Sequence, residues 1–175
     1  SSTSSSKVET SPPKWTKCPS SAILVNFLMP DSPLIIESQN FLTPHPKELQ
    51  ELVKNILPHF YSDNIEEIKN NRDQIGKEFT KQFSSCVLVM KGANTFIASN
   101  QKIYVCDNGN PSLAKAGSGD VLVGFCAALL AQDYSAHDAA ITAVFTHAET
   151  SNSQNGADFD FTPFKIIQNA TTIKD

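Results

Sequence analysis

The chain has no excess of positive charge: 14 lysines and arginines face 18 aspartates and glutamates, for a net charge of −4. Nucleic acids and anionic membrane surfaces are held by clustered cations, so neither is an expected partner. An anion would have to be met by local backbone N–H groups and a few lysines. Cysteine is scarce too. Cys18, Cys86, Cys106 and Cys126 stand far apart, with no CxxC pair and no clustered histidines. The closely spaced ligand pairs of a zinc site are missing, and no protein-built metal site is expected. Such spacing fits reduced, buried thiols in a cytoplasmic protein. Long apolar runs are absent as well: Ala22–Met29 is interrupted by Asn26 and is far too short to span a bilayer. No basic segment precedes it, which excludes the pattern of a signal peptide. The chain does not begin with Met, which points to processing or to a piece of something longer.

What is present suits a soluble α/β domain. A hydrophobic content of 40% over 175 residues is enough to bury one core. Residues 1–20, rich in Ser, Thr and Pro, have too little to bury to offset the entropy of ordering, and read as a disordered tail or linker. The globular domain is expected over 21–175. Ala22–Leu28 and Leu34–Glu37 read as short strands. Leu49, Leu52, Val53, Ile56 and Leu57 form one apolar stripe behind Pro46, a residue suited to the first helical position. A second helix is expected from about Asn64 to Phe83. Cys86–Met90 is a continuous apolar run, typical of a strand buried on both faces. Thr95–Ala98 and Lys102–Cys106 read as a hairpin turning around Ser99-Asn100. Helices follow at about Gly119–Gln132, apolar nearly all round, at Ala136–Glu149, and from Thr162-Pro163 onward. Strands separated by helices imply a mainly parallel sheet flanked by helices.

The segment with the most chemical content is Ala114-Lys115-Ala116-Gly117-Ser118-Gly119-Asp120-Val121. Two glycines let the backbone approach a ligand, and a helix begins beside them. The unpaired N–H groups of a helix start carry roughly half a positive charge, which favours phosphate. The spacing is neither GxxxxGK[ST] nor GxGxxG, so neither a P-loop nor a dinucleotide fingerprint applies. The same residues also fit a flexible helix entry with a stabilising first-turn carboxylate, and the residues alone leave both readings open.

Three motifs in order resemble those of the ADP-dependent NAD(P)H-hydrate dehydratases, members of the ribokinase-like superfamily. They are Thr43-Pro44-His45-Pro46-Lys47-Glu48, Lys91-Gly92-Ala93-Asn94-Thr95, and Asn110-Pro111-Ser112-Leu113-Ala114 running into Gly117–Gly124. The resemblance extends over roughly 41–170. It implies a partial ribokinase-like three-layer fold and a repair reaction. Asp120 would deprotonate the hydroxyl of hydrated NADH or NADPH, the oxygen would attack the terminal phosphate of ADP, and phosphate would then be eliminated. It implies nucleotide contacts at Lys91, Gly92, Ala93, Asn94 and Thr95 and at Gly117, Ser118 and Gly119. Substrate contacts are implied at His45 and Asp120, with ADP as phosphate donor and Mg²⁺ bridging the phosphates.

Ala116 and Lys115 depart from the family's usual glycine and threonine. A first half with a glycine-rich strand–helix unit, normally present before the TPHP segment, has no counterpart among the roughly twenty globular residues before Leu42. Exposed sheet edges would then favour a homo-oligomer. Two rival functions share the same residues: a small-molecule kinase of this superfamily, and a non-catalytic nucleotide-binding remnant. Among other candidates, His147 lies with Ala143, Val144 and Ala148 and reads as a packed core histidine. His59 and His137 read as solvent-facing, and Asp158-Phe159-Asp160 as a loop.

Overall fold

The computed structural model describes residues 41–108, 113–152 and 162–173. The expected tail over 1–20, the strands at 22–28 and 34–37, Asn110-Pro111 and Asp158–Asp160 lie outside the described residues. The elements in order are β1 (Phe41–Leu42), α1 (Pro46–Ile56), a 3₁₀ turn at Pro58–Phe60, α2 (Ile65–Asn70), α3 (Arg72–Gln82), β2 (Val87–Met90), β3 (Thr95–Ser99), β4 (Lys102–Cys106), α4 (Ser118–Leu130), α5 (Ala136–Asn152) and α6 (Pro163–Ala170).

The sheet order is β1-β2-β3-β4, with β1 parallel to β2 and the other pairings antiparallel. The α/β class holds, and the sheet is mixed rather than mainly parallel over these residues. The reason is local. Asn100 and Gln101 both take positive φ, 50° and 61°, giving the tight two-residue turn that only antiparallel strands can use. The turn lies one residue beyond the expected Ser99-Asn100.

Alternation along the strands builds three layers. Leu42, Leu88 and Met90 face α1–α3 and pack with Leu49, Leu52, Val53, Ile68, Ile75 and Phe79. Phe41, Val87, Val89 and Ile97 face the other way, onto Leu122, Cys126, Ala140 and Val144 of α4 and α5. Helix α3 sits very close to the sheet at Gly76, where a Cβ would stand 2.8 Å from Ala98 Cβ.

The single helix expected over 64–83 is two. It breaks at Asn71 (φ −99°, ψ 11°), where Asn70 and Asn71 are both poor helix formers. Helix α4 is less enclosed than its composition suggests: Val121, Leu122, Cys126 and Leu130 are buried, whereas Gly124 and Ala128 are exposed. His59 is exposed as expected, but His137 is not simply solvent-facing. Its ring packs edge-on to Tyr104 at 5.0 Å, and its Nδ1 is buried. Among the described residues no helix is long and apolar enough to cross a membrane.

Candidate functional site

Parallel strands β1 and β2 end side by side, and open α/β sheets present ligand-contacting residues at such carboxyl ends. Each strand runs directly into one of the motifs. The two motifs are tied by the Lys91 N–H, which donates to the Pro44 carbonyl at 3.0 Å. After Pro44, His45 caps α1 reciprocally: its Nδ1 accepts from the Glu48 N–H at 3.2 Å, and its own N–H donates to Glu48 Oε2 at 2.7 Å. The ring remains exposed. His45 therefore has a structural duty that its proline-flanked setting did not disclose.

The Lys91 side chain is half-buried and reaches across to α4. A Cβ on Gly119 would stand 3.2 Å from Lys91 Nζ, so the ammonium lies over the first turn of that helix. Burial lowers the Lys91 pKa, against the attraction of the Glu48 and Asp120 carboxylates. Gly92, Ala93 and Asn94 are exposed in the loop beyond, and Thr95 opens β3.

Helix α4 begins at Gly117 with no side-chain cap. Gly117 has φ +84°, the left-handed region, and a Cβ there would also meet Pro163 Cγ at 2.8 Å. Gly117→Ala is therefore expected to destabilise the protein by about 2–3 kcal/mol, combining left-handed strain with overpacking. A urea midpoint unchanged from wild type would show that this cap is unstrained. The Ser118 N–H donates to the Lys115 carbonyl at 3.2 Å, and the Val121 N–H donates to the Gly117 carbonyl. The amides of Gly119 and Asp120, which a helix cannot satisfy internally, have no acceptor among the described residues. They point outward without a partner among the described residues, with the exposed Asp120 carboxylate in the same turn.

Ser118 differs from expectation in direction. Only 2% exposed, it turns its hydroxyl inward to His147 of α5. His147 Nε2 lies 2.9 Å from Ser118 Oγ and 3.0 Å from the Ser118 carbonyl oxygen. Because a carbonyl only accepts, Nε2 carries the proton and donates to it. His147 is thus packed inward, as its apolar neighbours imply, but what it packs against is the start of α4. Periodicity marked it as facing inward and carried no signal of that partner.

Burial holds the His147 imidazole below its ordinary pKa, and the Lys91 ammonium pushes the same way, against the bond to the Ser118 carbonyl. The unfolded chain takes up this proton near pH 6.5, and the folded protein does so only at lower pH. The stability contributed by neutral His147 is complete above the unfolded value and is lost as pH falls through the folded one. His147→Gln keeps an N–H donor without titrating. Between about pH 7 and about pH 5 the wild-type Tm should fall more steeply than that of the variant. Parallel curves would contradict this assignment.

A cavity of about 590 Å³ lies elsewhere, at the opposite end of β2, beside Cys86, Ser99, Asp133 and His137. The motif residues do not line it.

The sequence pattern described as NAD(P)H-hydrate dehydratase matches residues 32–168. The chain is 38% identical over 133 residues to the bifunctional NAD(P)H-hydrate repair enzyme of Helicobacter pylori, covering 76% of this chain and 28% of that protein. It is 36% identical over 107 residues to the ADP-dependent (S)-NAD(P)H-hydrate dehydratase of Neisseria meningitidis, covering 61% of this chain and 33% of that one. The ADP/ATP-dependent NAD(P)H-hydrate dehydratase of Bacillus subtilis, crystallised with ATP/Mg²⁺ and soaked with CoA, superposes with a TM-score of 0.66 at 24% identity. That match covers 76% of this chain and 47% of the Bacillus chain, and it establishes a shared fold. The chain thus spans about a third or less of the two curated relatives and about half of the solved one. With the family pattern running through most of its length, and its motifs gathered at one end of the sheet, the chain belongs to the NAD(P)H-hydrate dehydratase family.

Proposed function

We propose that this chain carries the nucleotide site of an ADP-dependent dehydratase that restores hydrated NADH and NADPH to the reduced cofactors. The observation that carries the reading is the meeting of the Lys91 ammonium, the open Gly119 and Asp120 amides and the Asp120 carboxylate at one helix start. An ammonium and oriented N–H groups suit a terminal phosphate, and a carboxylate beside them suits a base. The name of the Neisseria relative supports ADP as donor.

In this reading Asp120 takes the proton of the ring hydroxyl, whose oxygen bonds to the terminal phosphorus of ADP as the bond to AMP breaks. Lys91 and the two amides hold the charge that builds on the transferring group. The ring nitrogen's electron pair then expels phosphate, and loss of a proton from the neighbouring carbon restores the double bond. The products are the reduced cofactor, AMP and inorganic phosphate. The described residues include no cluster of three or more His, Cys, Asp or Glu able to cage a metal. Mg²⁺ would be held largely through phosphate oxygens and water, which needs no such cage and leaves the Asp120 carboxylate to act as the base. Its contribution when bound is neutralisation of phosphate charge. Gly92–Thr95 are read as contacts to the AMP portion, Lys91, Gly117 and Gly119 as contacts to the phosphates, and His45 as a substrate contact, while Ser118, engaged with His147 and Lys115, supports the turn from within.

The protein is read as cytoplasmic and as a homo-oligomer associating through β1 and β4, the strands that end the sheet among the described residues. The test is incubation with hydrated NADH, ADP and Mg²⁺, following the absorbance of reduced nicotinamide and the release of AMP and phosphate. Recovery of both signals supports the dehydratase. A stable phosphorylated product without recovery would point instead to a kinase, and binding of ADP without either would point to a remnant.

A further inference from the structure

Gly92 follows Lys91, yet its φ lies outside the left-handed region that demands glycine. What occupies the place of its missing side chain is Arg72. A Cβ on residue 92 would stand 2.7 Å from Arg72 Nη1 and 3.6 Å from Cζ. Arg72 opens α3, just after the break at Asn71, and its guanidinium reaches the neighbouring loop. Nη1 donates to the Asn94 carbonyl at 2.8 Å, across 22 residues of sequence. Nε donates to the Lys69 carbonyl at 2.9 Å, and Cζ lies 4.2 Å from the centre of the Phe96 ring. Among the described residues no carboxylate pairs with Arg72. The planar cation is held by carbonyls and an aromatic face, contacts a lysine ammonium does not reproduce.

We propose that Arg72 is a positioning residue for the nucleotide site: through the Asn94 carbonyl it fixes the loop from Gly92 to Thr95, and Gly92 is glycine to admit the guanidinium rather than a ligand. The inference rests on the reading of Lys91–Thr95 as a nucleotide-contacting loop. It has a signature in coupled variants. Arg72→Ala releases the loop. Gly92→Ala expels the guanidinium and should have the same effect. Once residue 72 is alanine, the methyl on residue 92 meets only the Asn94 carbonyl oxygen at 3.4 Å, an ordinary contact, so the double variant should be no worse than Arg72→Ala alone.

The experiment measures ADP affinity by calorimetry, and amide hydrogen exchange over residues 92–95 without ligand, for both single variants, the double variant and Arg72→Lys. Each single variant is expected to weaken ADP binding roughly tenfold, within the range for coupled neighbours, and to speed exchange. Arg72→Lys should fail to restore either. Should Arg72→Ala prove unfolded by circular dichroism, Arg72→Met, which keeps the stem over Phe96, takes its place. Equal harm from Gly92→Ala in the wild-type and Arg72→Ala backgrounds would overturn the proposal, as would full rescue by lysine or unchanged exchange in Arg72→Ala. A folded wild-type protein that binds no ADP would refute the nucleotide reading, while the exchange measurements would still decide whether Arg72 and Gly92 are coupled.

Discussion

Asp120→Asn is expected to lower dehydratase turnover by about 10²–10⁴-fold, the usual consequence of removing a general base. The same change should leave ADP affinity unchanged or slightly improved. Asp120 is exposed in the first turn of α4, so asparagine perturbs no packing and keeps the backbone N–H in place. What it removes is one negative charge and one proton acceptor beside the proposed phosphate site. The split between turnover and affinity separates the readings. In a nucleotide-binding remnant there is no turnover to lose, and in a kinase the loss would fall on formation of a phosphorylated product. Steady-state kinetics with hydrated NADH, combined with calorimetric ADP titration, measure both sides. A variant with wild-type turnover would remove Asp120 from the mechanism.

Lys91→Met should act in the opposite sense, on binding first. A charge-assisted hydrogen bond is worth about 1.5–3 kcal/mol, so loss of the ammonium should weaken ADP affinity by roughly 10- to 150-fold. Adenosine, which lacks phosphates, should bind wild type and variant alike. The methionine stem keeps the aliphatic part that lies against Gly119, and relieving a buried charge should leave the protein no less stable. Gly119→Ala offers a milder version, since its Cβ would crowd Nζ at 3.2 Å without removing the charge. Equal weakening of ADP and adenosine by Lys91→Met would mean that Lys91 supports the loop and does not meet phosphate.

Much of the fold was legible because its signals are local. The stripe from Leu49 to Leu57 with Pro46 at its head, the run Val87–Met90, and Thr162 before Pro163 each state their element within a few residues. The break at Asn71 was less legible, because the apolar positions Ile68, Ile75 and Phe79 lie on one side across it. The partnerships of the site depend on tertiary contact. Arg72 meets Asn94, and His147 meets Ser118, across 22 and 29 residues, and no periodicity links those positions. Sequence placed Ser118 in a phosphate-facing turn, but which way its hydroxyl turns depends on α5 lying alongside α4. Gly92 shows the same limit. A glycine in a ligand motif suggests close approach of a ligand, whereas here a side chain from another helix fills the space.

In the proposed site the start of α4 holds the terminal phosphate of an adenine nucleotide. A crystal structure of the protein with ADP and Mg²⁺ tests it most directly. Phosphate density is expected within hydrogen-bond reach of the Gly119 and Asp120 amides and of Lys91 Nζ. Well-ordered nucleotide bound with its phosphates anywhere else, including the cavity at the opposite end of β2, would contradict the account.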